Sequence, residues 1–251
     1  MNAAPPNASQ TARQRARAEL TREIKEAARR QLAESGAPQL SLRAVARELG
    51  MVSSALYRYF PSRDDLLTAL IIDAYDSIGE AAEAAAAANG AVKGTGGPRS
   101  GWRAVCHAVR DWARANPHEY ALIYGSPVPG YRAPRDTVAP AARVPLVLGQ
   151  LVRDSCAAQA ASAAGTAAAP PAAPPVPPLP ALLAAQAAIV AGAIAPGVPE
   201  PLIVRVLIAW TQLFGMISFE LFGQFVGSAD PADDFFGYAI EQMIAYIPIA
   251  G

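Results

Sequence analysis

The sequence predicts an all-α protein, with an N-terminal three-helix segment arranged as a helix-turn-helix and a helical body after it. Three observations carry this. Apolar residues recur at steps of three and four along most of the 251 residues, and alternating strand patterns are nearly absent. Gly, Pro, Ser and Asn stand where those periodic stretches end. The charge is divided: residues 1–63 hold eleven Lys and Arg against five Asp and Glu, although the whole chain has 21 of each and a net charge of zero. A basic head on an acidic body points to a polyanion partner for the head alone.

The elements follow in order. Residues 1–10, with Pro5 and Pro6, read as a disordered arm. A first helix runs from Thr11 to about Glu34, with Leu20, Ile24, Ala27, Ala28 and Leu32 inward; Ser35-Gly36 and Pro38 stop it. Arg13, Arg15 and Arg17 read as a solvated helix start, with a phosphate- or minor-groove-contacting arm as the alternative. Ser41 caps a short second helix carrying Leu42, Val45, Ala46 and Leu49, and Gly50 ends it. A third short helix runs from Ser53 to Phe60. Pro61-Ser62 breaks the chain, and Ser62 with Asp65 forms a variant capping box for a fourth helix, about Arg63 to Ala88.

In the body, residues 89–100 read as a flexible connection. A fifth helix starts near Gly101, and Asn116-Pro117 opens a sixth through Tyr124. A loop spans 126–136. A seventh helix covers about Val138 to Ala163, bent at Pro145, before a disordered Ala/Pro linker at 164–180. Helices at Ala181–Ile194, Leu202–Val226 and Asp233–Tyr246 complete the chain.

Composition narrows the function. With 52% apolar and 17% charged residues, wholesale disorder is excluded. Two cysteines, Cys106 and Cys156, build no disulfide framework, and with no basic cluster to activate them they read as inert thiols. The first twenty residues lack the apolar core of a secretory signal, and neither Ala181–Ala195 nor Val206–Phe219 reaches the 18 apolar residues of a spanning helix. The expectation is a cytoplasmic protein with no membrane partner. His107 and His118 fall outside metal-ligand spacing, and no phosphate-binding glycine loop or nucleophile elbow is present, so no metal, cofactor or enzymatic activity is expected. Glu220, alone in an apolar helix, reads as an interface-rim or solvated residue, with a ligand amine, Arg205 or a partner chain as alternative contacts.

The informative stretch is 41–65, SLRAVARELGMVSSALYRYFPSRDD. Two short helices meet at Gly50, and the second is too short to be stable alone. A helix-turn-helix has this form: one helix braced over the backbone, a tight turn, and a second helix presented to the major groove. Leu42, Val45, Ala46, Leu49, Leu56 and Phe60 form the brace. Ser53, Ser54 and Ala55, in the first turn of the recognition helix, are small enough to approach base edges. Tyr57, Arg58, Tyr59 and Arg63 suit phosphate contact.

These residues resemble the DNA-binding domain of the TetR family of bacterial repressors. The resemblance rests on Ser41-Leu42-Arg43-x-Val45-Ala46, Leu49-Gly50, Leu56-Tyr57-Arg58-Tyr59-Phe60, and Arg63 before Leu66-Leu67. Val52 departs from the serine or threonine the family often has there; valine caps poorly, which leaves Ser53 as an alternative cap. Residues 120–131 and 210–221 resemble the family's C-terminal type named WHG, with Phe214 where a histidine is expected.

The resemblance implies a homodimer, a DNA-binding domain at 11–62, and a ligand-binding and dimerisation domain at 63–251. It implies that Ser41, Arg43, Ser53, Ser54, Ala55, Tyr57, Arg58, Tyr59 and Arg63 lie at the DNA. Candidate pocket residues are Trp102, Cys106, Val109, Trp112, Tyr120, Tyr124, Trp210 and Phe214; the one-sided stripe Trp102, Cys106, Val109 and Trp112 also reads as plain core, the commoner role of such a stripe. The function that follows is a repressor bound to a palindromic double-stranded DNA operator and released by a small hydrophobic effector. Dimerisation is expected through Leu202–Val226 and Asp233–Tyr246, which are apolar on more than one face. The alternative is a DNA-binding dimer whose body is an effector-independent protein-interaction module.

Overall fold

The computed structural model describes residues 8–91, 96–165 and 178–249. Ten α-helices and two short 3₁₀ turns account for their regular structure, and no strand occurs among them. The expected arm at 1–10 and the linker at 164–180 fall mostly outside the described residues. The parts inside are Ala8–Gln10, which already belong to the first helix, Ala164–Gly165, which end the seventh, and residues 178–180, which lead into the eighth.

The chain divides into two compact units. The first comprises the residues up to Ala74 with His118–Thr137, and the second Tyr75–Pro117 with Val138 onward.

In the first unit, α1 (Ala8–Ser35) buries Ile24, Ala27, Ala28 and Leu32, the face its spacing predicts. A 3₁₀ turn at Ala37–Gln39 leads to α2 (Leu42–Glu48), where the Ser41 hydroxyl accepts from the Ala44 N–H at 3.4 Å. α3 (Ser53–Leu56) continues in turns through Tyr59. α4 (Arg63–Ala91) opens on Ser62, whose hydroxyl accepts from the Asp65 N–H and donates to its carboxylate. α1 is tied to α4 by Lys25 and Arg29, both paired with Asp73 at 2.7 Å. Arg29 also reaches Glu119 of α6 (Pro117–Tyr124) at 2.9 Å. In the second unit, Asn116 donates its side-chain amide to the Trp112 carbonyl, closing the helix before it.

In the second unit, α5 (Pro98–Ala115) packs against α7 (Val138–Gly165), α9 (Glu200–Leu221) and α10 (Asp233–Tyr246), while α8 (Ala181–Ile194) packs on α9 and α7. α4 and α5 take up half of the connection expected at 89–100, since α4 runs to Ala91 and α5 starts at Pro98.

α9 stops five residues before the expected Val226. Gly223 takes φ 74°, its N–H bonds Glu220 O, and Gln224 N–H bonds Phe219 O at 2.8 Å. This is the left-handed glycine stop of a helix, and it overrides the apolar run that follows. By length and hydropathy α9 could cross a membrane, yet it carries Arg205, which donates to the Tyr246 carbonyl at 2.9 Å, and Glu220, paired inside the unit. It is a core helix of the helical bundle.

Candidate nucleic-acid interface

The turn between α2 and α3 is built by Gly50. Its φ is 66°, its N–H bonds Arg47 O at 3.1 Å, and Met51 N–H bonds Ala46 O at 2.8 Å. A residue with a Cβ adopts that backbone only under strain, so the glycine sets the angle at which α3 leaves α2. Leu42, Val45, Ala46, Leu56 and Phe60 are buried and hold the two helices together; Leu49 is half-buried.

The opposite faces stay open. Arg43, Arg47, Ser54, Tyr57 and Arg58 are exposed, and Ser53, Ala55 and Tyr59 half-exposed. Val52 holds the N-cap position with extended backbone and no side-chain hydrogen bond, so Ser53 is the first helical residue and not the cap. Ser41 is occupied locally: besides its capping bond, its N–H donates to Gln31 Oε1 at 3.2 Å.

Ion pairing sorts the cations of this unit. Arg22 bonds Glu19 and Glu26, Arg30 bonds Glu48 at 2.6 Å, and Lys25 and Arg29 share Asp73. Arg13, Arg15, Arg17, Arg43, Arg47 and Arg58 have no ion pair among the described residues. The surplus charge of the head therefore sits on the start of α1, the outer face of α2 and the recognition segment.

Arg63, the expected phosphate contact, is hydrogen-bonded within its own unit. Its Nε donates to Leu40 O at 3.1 Å, and its Nη2 to Ala37 O at 2.8 Å and Pro38 O at 3.3 Å, while its Nη1 lies 3.5 Å from Asp64. The guanidinium holds the turn that leads into α2. Sequence spacing carried no signal for this, because those carbonyls lie more than twenty residues away.

The candidate pocket residues are distributed over both units. In the first, Tyr120 is buried and its ring contacts Tyr124 at 5.2 Å. In the second, Trp102, Cys106, Val109 and Trp112 form the buried face of α5, and Trp112 Nε1 donates to Ser77 Oγ at 2.8 Å. Burial pushes both thiols, Cys106 and Cys156, above the ordinary cysteine range. The Trp210 ring lies 5.6 Å from that of Phe214, inclined to it at 60°.

A cavity of about 120 Å³ lies between α7, α8 and α9, lined by Pro145, Leu148, Val190, Ile194, Val206, Leu207 and Trp210. Of the eight candidates only Trp210 reaches it. The α5 stripe is apolar because α7, α9 and α10 cover it, and periodicity does not distinguish a covered face from a cavity wall. The indole N–H groups of Trp102 and Trp210 are buried without a hydrogen-bond partner among the described residues. Glu220, expected at a rim or in solvent, is instead paired with Arg110.

A short recognition helix held open on a braced partner, with unpaired arginines around it, defines a helix-turn-helix DNA-binding transcriptional regulator. Residues 24–70 match the family described as bacterial regulatory proteins, tetR family, and residues 102–243 match the Tetracyclin repressor-like C-terminal domain. The chain belongs to the TetR family.

It is 48% identical over 131 residues to the HTH-type transcriptional regulators Rv1816 of Mycobacterium tuberculosis and Mb1846 of Mycobacterium bovis, covering 51% of this chain and 53% of each relative. The match thus spans about half the length of these curated relatives. The crystal structure of the regulatory-protein candidate SCO4313 is similar along 96% of this chain and 99% of its own, at 34% identity and TM-score 0.70. A Rhodococcus sp. RHA1 protein of unknown function shares the fold at 22% identity and TM-score 0.62, over 92% of this chain and 96% of its own.

Proposed function

We propose that this regulator is a cytoplasmic repressor which binds a palindromic operator as a homodimer and leaves it when a small hydrophobic effector enters the body. The observation that carries the DNA contacts is the sorting of the cations: unpaired Arg13, Arg17 and Arg58 line a cleft with Ala55 of the short recognition helix, and unpaired Arg43 and Arg47 stay exposed on the helix before it. In this reading Ser53, Ser54 and Ala55 face base edges, and Tyr57, Arg58, Tyr59 and Arg43 meet phosphates. Ser41 caps α2 beside the backbone, and Arg63 holds the turn that orients it. The DNA-binding domain is 11–62, and the effector-binding and dimerisation domain 63–251.

The dimer reading is supported by exposed apolar side chains on one face each of α9 and its following turn and of α10. They are Ile208, Phe219, Phe222 and Val226, and Phe235, Tyr238 and Tyr246. Two copies of this face place the recognition helices about one DNA turn apart, about 34 Å, only if the spacing of the heads fits. An effector acts by binding the two spacings with different affinity. The apolar cavity at Trp210 supports a small apolar effector.

The close packing of the α5 stripe under α7, α9 and α10 favours a second reading, in which the body is an effector-independent interaction module.

Selection of bound sites from a random duplex library tests the first reading, with a two-fold symmetric consensus expected. Ser54 or Ala55 variants should change the preferred bases at about 1–3 kcal/mol per altered contact, and an asymmetric or absent consensus contradicts it. Benzene separates the two bodies. In the first reading it raises the melting temperature of the wild type but not of a Val190→Phe variant, in which the cavity is filled. In the second it raises neither.

A further inference from the structure

We propose that the first turns of α1 belong to the DNA-binding surface: Arg13 and Arg17, together with Arg58, form one phosphate-binding cleft beside the recognition helix. The proposal rests on the DNA-binding reading and extends it to a part of the chain that precedes the matched family segment, which begins at residue 24.

A cleft of about 570 Å³ is lined by Arg13 and Arg17 from α1 and by Met51, Ala55, Arg58 and Tyr59 from the α2–α3 turn and recognition segment. Arg13 and Arg17 are one helical turn apart and share a face of α1. The Arg17 guanidinium lies 5.6 Å from the centre of the Tyr59 ring, a cation–π contact that seats it against the recognition segment without neutralising it.

None of the three arginines has an ion pair among the described residues. The next cation along α1, Arg22, is paired with Glu19 and Glu26, and Lys25 and Arg29 with Asp73. Three like charges around one cleft repel each other, and an anion in the cleft relieves that repulsion. A guanidinium presents several donors in a planar fork that matches phosphate oxygens. Because Ala55 also lines the cleft, the anion beside a bound recognition helix is a phosphate of the same duplex. α1 then clamps the backbone while α3 reads the groove.

The test is binding of the full chain to a 30-base-pair duplex of random sequence over a series of KCl concentrations, by fluorescence anisotropy. Each lost phosphate contact lowers the slope of log affinity against log salt by about one unit. The double variant Arg13→Ala/Arg17→Ala should bind about tenfold more weakly at low salt, with a slope shallower by about two units. Arg58→Ala, on a separate element, should lower the slope by about one unit. Arg15→Ala removes the same charge from another face of α1 and should leave the slope within about half a unit of wild type.

A double variant with the wild-type slope overturns the proposal, as does an Arg15→Ala slope shallower than that of the wild type by about one unit. In either case wild-type binding persists and the DNA-binding reading stands. Absence of salt-dependent binding by the wild type would remove that reading and this proposal together.

Discussion

Arg110 is buried on α5, and its Nε and Nη2 donate to the two carboxylate oxygens of Glu220 on α9 at 2.7 and 2.8 Å. Its Nη1 donates to Asp233, at the start of α10, at 2.8 Å, and its guanidinium lies over the Phe236 ring at 4.6 Å. One side chain thus joins three helices. The fork on Glu220 is bidentate, the geometry in which an arginine–carboxylate pair is strongest, and the pair holds Arg110 in the charged form.

Removing one partner of a buried pair costs more than the pair contributes, because the other charge stays buried. Glu220→Leu should therefore destabilise the fold by about 3 kcal/mol, read from urea denaturation. The double variant Arg110→Met/Glu220→Leu should recover most of that loss. A single-variant loss below about 1 kcal/mol would mean that Asp233 alone suffices for Arg110.

Arg63 is expected to act on stability before it acts on DNA. Arg63→Ala removes charged donors from the Ala37, Pro38 and Leu40 carbonyls and should cost about 1.5–3 kcal/mol. Its salt slope on duplex DNA should equal that of the wild type. A slope shallower by about one unit with unchanged stability would make Arg63 a direct phosphate contact.

The acid limb of stability should depend on Glu241. Arg103 bonds its carboxylate, and Arg99 lies 3.1 Å away. The hydrogen bond from Arg103 is the main cause that holds its pKa at about 2, below an ordinary 4.5, with burial opposing it. A carboxylate whose folded value is depressed stabilises the fold above its unfolded value and loses that contribution as pH falls through the folded one. Glu241→Gln should thus be less stable than the wild type at pH 7, by about 1 kcal/mol or less for so exposed a pair. The gap between the two proteins should close as pH falls from 4.5 towards 2. Parallel stability curves over that range would show that the pair carries no linked proton.

The face formed by Ile208 and Phe219 on α9, Phe222 at its end, and Phe235 and Tyr238 on α10 should be covered by a second copy. Gly215, one turn before Phe219 on the same face of α9, leaves open space that a partner helix can enter. Sedimentation should show a dimer at micromolar concentration, and Phe222→Lys with Tyr238→Lys should give a folded monomer. A wild-type monomer at that concentration would leave the face without its proposed occupant.

Local spacing alone determined a great deal. The bounds of Ala181–Ile194 and Asp233–Tyr246, the turn at Gly50, the cap at Ser41 and the inward set from Leu42 to Phe60 are legible because each depends on neighbours within a helical turn or two. The end of α9 was also written locally, in Gly223, but the apolar Phe225 and Val226 beyond it carry the same periodicity and hide the stop. Only the tertiary structure decided which charges are spent and which are free. Glu220 meets Arg110 rather than Arg205, Arg63 turns back to carbonyls near Pro38, and Arg17 reaches Tyr59, since such partners are far apart in the chain and no spacing rule relates them. It also decided which helices cover the stripe of α5, a face whose spacing already reads as core, and that the cavity lies at Trp210 between α7, α8 and α9. Periodicity establishes that a face is buried; what buries it depends on the packing of helices distant in sequence.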